Sequence, residues 1–401
     1  MLFELFLFLF LGVLAGTLTG LTPGIHINLI GAILVSYSGS LLLTHLFFPI
    51  LPIYLIVFIV SMSITHTFVD FIPSIFLGAP DDADTGLSTL PGHELLKEGR
   101  GYEAIMLSNY GSLIAILILI LLFIPLIFII PKIYPFLTKF MAFILIFFSL
   151  TLILFEKNKF SALFVFFITG FLGLIVLNLD IKEPLLPLLT GLFGSSMIIL
   201  SIKQKTKIPK QHISNNFKVP LKNPIISSLI ASPLCGFLPG LGGGQAAVIG
   251  SQISKLDKRE FIVLIGIVNT LIMEISFISL YTINKARTGS AVSIQQLLGT
   301  FSTNILILIL IISTISGIFA FYITKSLSKF FANKINKINY SILSIIVLII
   351  ISTVTLIFSG FFGFIILILS TLTGIYCSYF NIRRTTYMGC LLIPTIVLYL
   401  V

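Results

Sequence analysis

The sequence predicts an all-α polytopic membrane protein made of two inverted-topology repeats, with Pro-Gly-broken, re-entrant or discontinuous helices and about 10–12 membrane segments. Three observations predict it. Hydrophobic residues make up 57% of the 401 and charged residues only 9%, a composition that excludes ordinary soluble domains. Apolar runs such as Leu113 to Ile130 and Ile342 to Ile357 follow one another with little polar chain between them, each approaching the roughly 20 residues that cross about 30 Å of hydrocarbon as a helix. One Pro-Gly motif occurs twice: at an offset of 216, Ala15, Leu18, Gly20, Pro23-Gly24 and Ile33 meet Ala231, Leu234, Gly236, Pro239-Gly240 and Ile249.

The elements follow in order. The N-terminal MLFELFLFLFLGVLAG lacks the basic n-region of a signal peptide and reads as the first membrane element. It runs into the first glycine-patterned stretch, Gly12 to Ser36. Next come Phe47 to Ser63, with Pro49 and Pro52 near its start, and Thr65 to Phe76, carrying His66 and Asp70. The polar break from Gly78 to Glu103 is too rich in Gly, Pro and Asp to be helical throughout. Helical runs are expected at Ala104 to Ile130, Pro135 to Phe155, Ser161 to Asn178 and Pro184 to Ile202. Lys203 to Lys222 holds six lysines and no acid, which reads as a linker. The second patterned stretch, Ser228 to Gln252, is followed by Phe261 to Ile283, a break at Asn284 to Ser290, and helices at Phe301 to Thr324, Tyr340 to Phe358, Phe361 to Phe380 and Tyr387 to Val401. The expected organisation is a first membrane repeat over 1–202, a basic linker over 203–222 and a second, inverted repeat over 223–401.

A formal net charge of +10 would point to nucleic acid in a soluble chain, but membrane topology explains it here. With the linker in the cytoplasm and the spans alternating, 19 of the 24 basic residues fall inside, the bias that the positive-inside rule describes. The N-terminus then lies outside a cell membrane that the chain crosses many times. The repeats begin on opposite sides, an arrangement characteristic of secondary transporters with a substrate site near the bilayer midplane. Cys235, Cys377 and Cys390 lie in apolar segments as small packing residues, and no disulfide framework follows.

Three pairs of features are candidates for chemistry. The Gly12-Gly16-Gly20 stripe lets helices approach closely, but Pro23-Gly24 and Pro239-Gly240 with Gly242, Gly243 and Gly244 open the backbone. Open backbone at membrane depth is tolerated where it is buried in protein or lines a cavity. A half-helix starting at each break would offer free N–H groups and a positive dipole end to a carboxylate, with Thr22, His26, Asn28 and Gln245 adding side-chain hydrogen bonds. Asp70 and Glu274 are acids within apolar spans at nearly equivalent points of the two halves, expensive residues that usually face a cavity or ion path. In the third pair the signs differ: Asp81, Asp82 and Asp84 suit a cation, whereas Arg287, followed by Thr288 and Gly289, suits bidentate binding of a carboxylate. No dinucleotide fingerprint, P-loop or HExxH zinc motif fits. An enzyme is not expected.

GLTPG and GFLPGLGGG, together with APDDADTGLSTLPGH and KEGRGYEAIMLSNYGS, resemble the large membrane subunit of tripartite tricarboxylate transporters (TctA-like), of which this chain looks like a divergent, shorter member. Where that family has an Asn-rich run and a Pro-Gly-Ser turn in its second half, the similar text here is around Asn269 and at Thr288-Gly289-Ser290. The resemblance implies a permease for a small organic anion, a di- or tricarboxylate, moved by alternating access. It also implies a small membrane subunit and an extracytoplasmic binding protein as partners. Asp70, Asn269, Glu274 or the Asp81–Asp84 cluster would then take the coupling Na+ or H+, with no other cofactor. An exporter or flippase of another anion, such as a lipid-linked phosphate, is the alternative on the same fold.

Overall fold

The computed structural model describes residues 2–22, 31, 52–79, 83–203, 208–214, 217–236, 242–300, 302–337 and 340–400, and within these it leaves a few side chains, Asp84 among them, undescribed. Among the described residues the chain forms helices and no strands. Eight helices are long and apolar enough to cross a membrane.

The two most buried of these spans form the centre. Helix α1 (Leu2–Leu21) lies on α2 (Pro52–Val69), which continues through Asp70 into the short α3 (Phe71–Leu77). After Gly78, whose positive φ of 67° closes that helix, α4 (Ala83–Lys97) begins. Helix α5 (Gly101–Leu154) then crosses the shorter α11 (Lys258–Ile283). In both Pro52–Leu77 and Lys258–Ile283, 94% of the most apolar window is buried, against 22% in Ser341–Ser378. The first two are therefore protein-enclosed helices and the last faces lipid on most sides.

Between α5 and α11 come α6 (Lys159–Leu177), α7 (Leu185–Leu189), a π turn at Thr190–Ser195, α8 (Ser196–Lys203), α9 (Lys222–Gly236) and α10 (Gly243–Ile253). The C-terminal part holds α12 (Gly289–Leu298), α13 (Thr303–Lys334), α14 (Tyr340–Ser378) and α15 (Gly389–Leu400).

Small residues set the closest crossings. A Cβ on Gly12 would run into Ser61, one on Gly16 into the Met62 carbonyl and one on Gly20 into Val69, so the first stripe packs α1 onto α2. At the α5–α11 crossing a Cβ on Gly266 would meet the Ser108 backbone and one on Gly111 the Val263 carbonyl. Ser112 Oγ donates to Gly266 O across the same contact at 3.2 Å.

Three elements differ from the sequence expectation. The runs 104–130 and 135–155 join into one continuous helix of 54 residues containing Pro125, Pro131 and Pro135, because proline fixes a φ that a helix accepts and forfeits one hydrogen bond without forcing a stop. At about 1.5 Å per residue the run is on the order of 80 Å, more than two hydrocarbon thicknesses, and the prolines are where such a run bends. Helix α12 starts inside the expected Asn284–Ser290 break and occupies chain to which the sequence assigns no element, capped by Thr288 Oγ1, which accepts from Ala291 N. Most of the Gly78–Glu103 break is helical as well, interrupted at Gly78–Ala79 and again at Glu98–Arg100. Gly360, with φ 70° and ψ −169°, divides α14 near the predicted 358/361 boundary.

The linker is docked. Gln211, 5% exposed, accepts from Gly101 N at 2.8 Å and donates to Leu96 O at 3.1 Å. His212 N donates to Gly99 O and Arg259 Nη2 to Lys218 O. Arg259 also pairs with Glu103 at 2.8 Å, and Lys258 pairs with Glu94. One end of the molecule thus gathers the α4–α5 turn, the linker and the start of α11.

Candidate functional site

A polar seam runs where α2 meets α11. Both helices are enclosed by protein, so a polar side chain on the shared face is satisfied inside the protein or not at all. Thr67 Oγ1 and Thr270 Oγ1 lie 3.1 Å apart. One turn on, Asp70 Oδ2 accepts from Asn269 Nδ2 at 2.9 Å, both residues being buried. Ser63 Oγ shares a hydrogen bond with Ser290 Oγ of α12, and Thr19 of α1 bonds His66 Nδ1 at 3.0 Å. The expected ion-coupling residues Asp70 and Asn269 are therefore in direct contact, and Ser290 joins the same seam.

Glu274 lies five residues beyond Asn269 on α11. It is 1% exposed, and among the described residues neither carboxyl oxygen has a hydrogen-bond partner.

The second break supplies another part. Helix α9 ends at Gly236, and α10 starts after Gly242, whose N–H donates to Gln245 Oε1 at 3.0 Å. Gln245 thus caps its own helix, and Gly243, Gly244 and Gln245 are buried. Arg287 reaches this region from the Asn284–Thr288 turn: its Nη2 donates to Cys235 O at 3.3 Å, in the last turn of α9. The turn is held by Ser276 Oγ, which accepts from Arg287 N at 3.2 Å and Thr288 N at 3.0 Å. Burial lowers the pKa of the half-buried Arg287, an effect that nearby Tyr399, Cys235 and Tyr134 oppose. Arg287 and the last turn of α9, ahead of the second glycine-rich break, are separate in sequence and neighbours in the fold.

The first break is described only at its edges. Thr22 Oγ1 donates to Leu18 O at 2.8 Å in the last turn of α1, and Gly31 lies against Ser293 of α12. Pro23, Gly24, His26 and Asn28 lie outside the described residues, as do Asp81, Asp82, Pro239, Gly240 and the side chain of Asp84. Among the described residues, no group of three or more His, Cys, Asp or Glu is placed to hold a metal ion.

Sequence reasoning passed over Thr67, Thr270, Ser63 and Ser276. A signal for the first two was present: they are 203 apart, the same offset that relates Thr85 to Thr288. It also passed over His93 of α4, which sits under Gly78 with its pKa pushed down to about 4, mainly by burial and then by the charges of Lys97 and Arg384.

Fold and seam together define a multi-pass α-helical membrane protein with a polar seam between two enclosed helices. The chain belongs to the tripartite tricarboxylate transporter TctA family, whose sequence profile matches residues 6–389. It is also 36% identical over 346 residues to a protein of Methanocaldococcus jannaschii described as uncharacterized, with 82% of each chain covered. No solved structure matches it.

Proposed function

We propose that this protein is a secondary active transporter that carries a small organic anion, a di- or tricarboxylate, by alternating access coupled to a Na+ or H+ gradient. The observation that carries the proposal is the placing of Arg287 against the last turn before GFLPGLGGG. A guanidinium offers two parallel N–H donors to a carboxylate, and the start of α10 adds backbone N–H groups and the positive end of a helix dipole. Glycines at 242–244 leave room for a ligand to approach that backbone.

In this reading the halves 1–202 and 223–401 are inverted repeats and the substrate sits between them. Pro23-Gly24 and its neighbours Thr22, His26 and Asn28 face the ligand from the first half. Pro239, Gly240, Gly242–Gln245 and Arg287–Ser290 face it from the second. Asp70, Asn269 and Glu274, with Asp81, Asp82 and Asp84, serve the coupling ion. The linker is cytoplasmic, the N-terminus is outside the cell membrane, and a small membrane subunit and an extracytoplasmic binding protein deliver substrate.

Binding to the folded state alone raises apparent stability by about 2.7 kcal/mol at a ligand concentration 100 times Kd. Thermal melts of the purified protein against a panel of di- and tricarboxylates and phosphate esters therefore test the substrate class. Stabilisation by carboxylates alone is expected. Stabilisation by phosphate esters alone would replace this reading with transport of another anion.

A further inference from the structure

One deeply buried ionisable group is the Glu274 carboxyl. It lies on α11, one of the two spans most completely enclosed by protein, is 1% exposed, and among the described residues has no hydrogen-bond partner at either oxygen. An ionised carboxylate without hydrogen bonds or a counter-charge in such surroundings is far costlier than the neutral acid.

The helices packed on α11 offer no compensation. On α2, His66 is bonded to Thr19, and Asp70, just beyond it, to Asn269. On α4, Glu94 pairs with Lys258, and His93 is itself held neutral; on α5, Glu103 pairs with Arg100 and Arg259. Cys235 of α9 accepts from Arg287 through its backbone carbonyl. The lysines of α4, α5, α9 and α13 are exposed or half-exposed, and α10 and α12 contain no charged residue. Among the described side chains of these helices, which leave out Asp84 of α4, no charge is close enough to act on the Glu274 carboxyl.

The contrast with Asp70 is informative. The two acids occupy nearly equivalent places in the halves, but an amide from the opposite half engages Asp70, while Glu274 stands alone.

We infer that Glu274 is a proton-carrying site that holds its proton in this closed arrangement, so that the coupling ion of the proposed transport cycle is H+. In the step, the carboxylate takes one proton from water on one side when the α11 environment is hydrated, crosses as the neutral acid, and releases that proton to water on the other side; no other bond changes. Sodium is disfavoured at this position because Na+ requires a shell of several oxygens, and no hydroxyl or amide here reaches even one oxygen of Glu274. The inference rests on the transport reading above, but the site can be tested without a substrate.

Infrared difference spectroscopy of the full-length protein in lipid bilayers, wild type against Glu274→Gln, tests it. A protonated-carboxyl C=O band is expected in the wild type at neutral pH, absent in Glu274→Gln, restored in Glu274→Asp, and unchanged when NaCl replaces choline chloride. A pH titration of the wild type alone reads the same band without any variant. An ionised Glu274 at neutral pH, or loss of the band on adding Na+, overturns the inference. In proteoliposomes with citrate as probe, an inward proton gradient is expected to drive accumulation by the wild type and not by Glu274→Gln, and undiminished accumulation by that variant also overturns it. Wild-type vesicles that move no citrate count against the proposed substrate, and the infrared result then decides the proton site alone.

Discussion

Replacing Asn269 with alanine removes the amide that bridges α11 to Asp70 at the end of α2. The bond is 2.9 Å long between residues 7% and 2% exposed, so water does not take the place of the lost donor. A hydrogen bond to a charged group in a soluble protein contributes about 1.5–3 kcal/mol. Interhelical bonds inside membranes average only about 0.6 and reach about 1.7 kcal/mol, because the unfolded chain in the membrane also finds partners. The second scale governs a bond between two enclosed helices, so the expected coupling between Asp70 and Asn269 is about 0.6–1.7 kcal/mol. A double-mutant cycle of Asp70→Ala and Asn269→Ala, read by reversible unfolding in mixed micelles, measures it. Strict additivity, within the roughly 0.3–0.5 kcal/mol seen for unconnected sites, would mean that this bond does not join the helices.

Further outcomes are expected elsewhere. Gly266→Val drives a side chain into the Ser108 backbone, which cannot rotate away. It should cost at least the usual 1–3 kcal/mol of overpacking, whereas the lipid-facing Leu121→Ala should change stability by about 0.5 kcal/mol or less; equal melting temperatures would contradict the crossing. Gln211→Leu removes the partners of Gly101 N and Leu96 O and should speed proteolysis within 203–222 while costing about 1–3 kcal/mol; unchanged cleavage would mean that the linker is not docked. His93, lowered from 6.5 to about 4 by burial, favours the neutral ring in the fold. Its contribution is complete above pH 6.5 and is lost as pH falls toward 4, at about 1.4 kcal/mol per pH unit. A His93→Gln protein should lack that part of the acid sensitivity, and an identical pH profile would count against the buried neutral ring.

The spans were legible because composition and run length depend on the chain alone, and Gly12, Gly16 and Gly20 declared a packing face by their spacing. Helix α12 was not, because GSAVSIQQLL carries too few apolar residues to stand out; its Thr288 cap and its packing on α2 make it a helix. The continuity of α5 was hidden by Pro131 and Pro135, which usually mark a stop. At the site, Asp70, Glu274 and Arg287 were visible as charges in apolar surroundings. The pairings of Asp70 and Arg287 were not: Asn269 was a candidate by resemblance, but its bond to Asp70, like those of Cys235 and Ser276 to Arg287, is assigned by tertiary contact, and an isolated Thr in a membrane helix gives no hint of which helix it faces. Thr67 and Thr270 show that offset matching, applied residue by residue, reaches further than motif matching.

The central claim is transport of a carboxylate past Arg287 and the second glycine-rich break. Uptake of labelled citrate and dicarboxylates under an imposed ion gradient, into proteoliposomes that hold this chain with the small membrane subunit and are supplied with the extracytoplasmic binding protein, tests it most directly. The account predicts gradient-dependent accumulation that is lost in Arg287→Gln and retained in Lys139→Ala, which alters an exposed lysine on α5. Equal accumulation in both variants, or none of any carboxylate by the wild type, would contradict it.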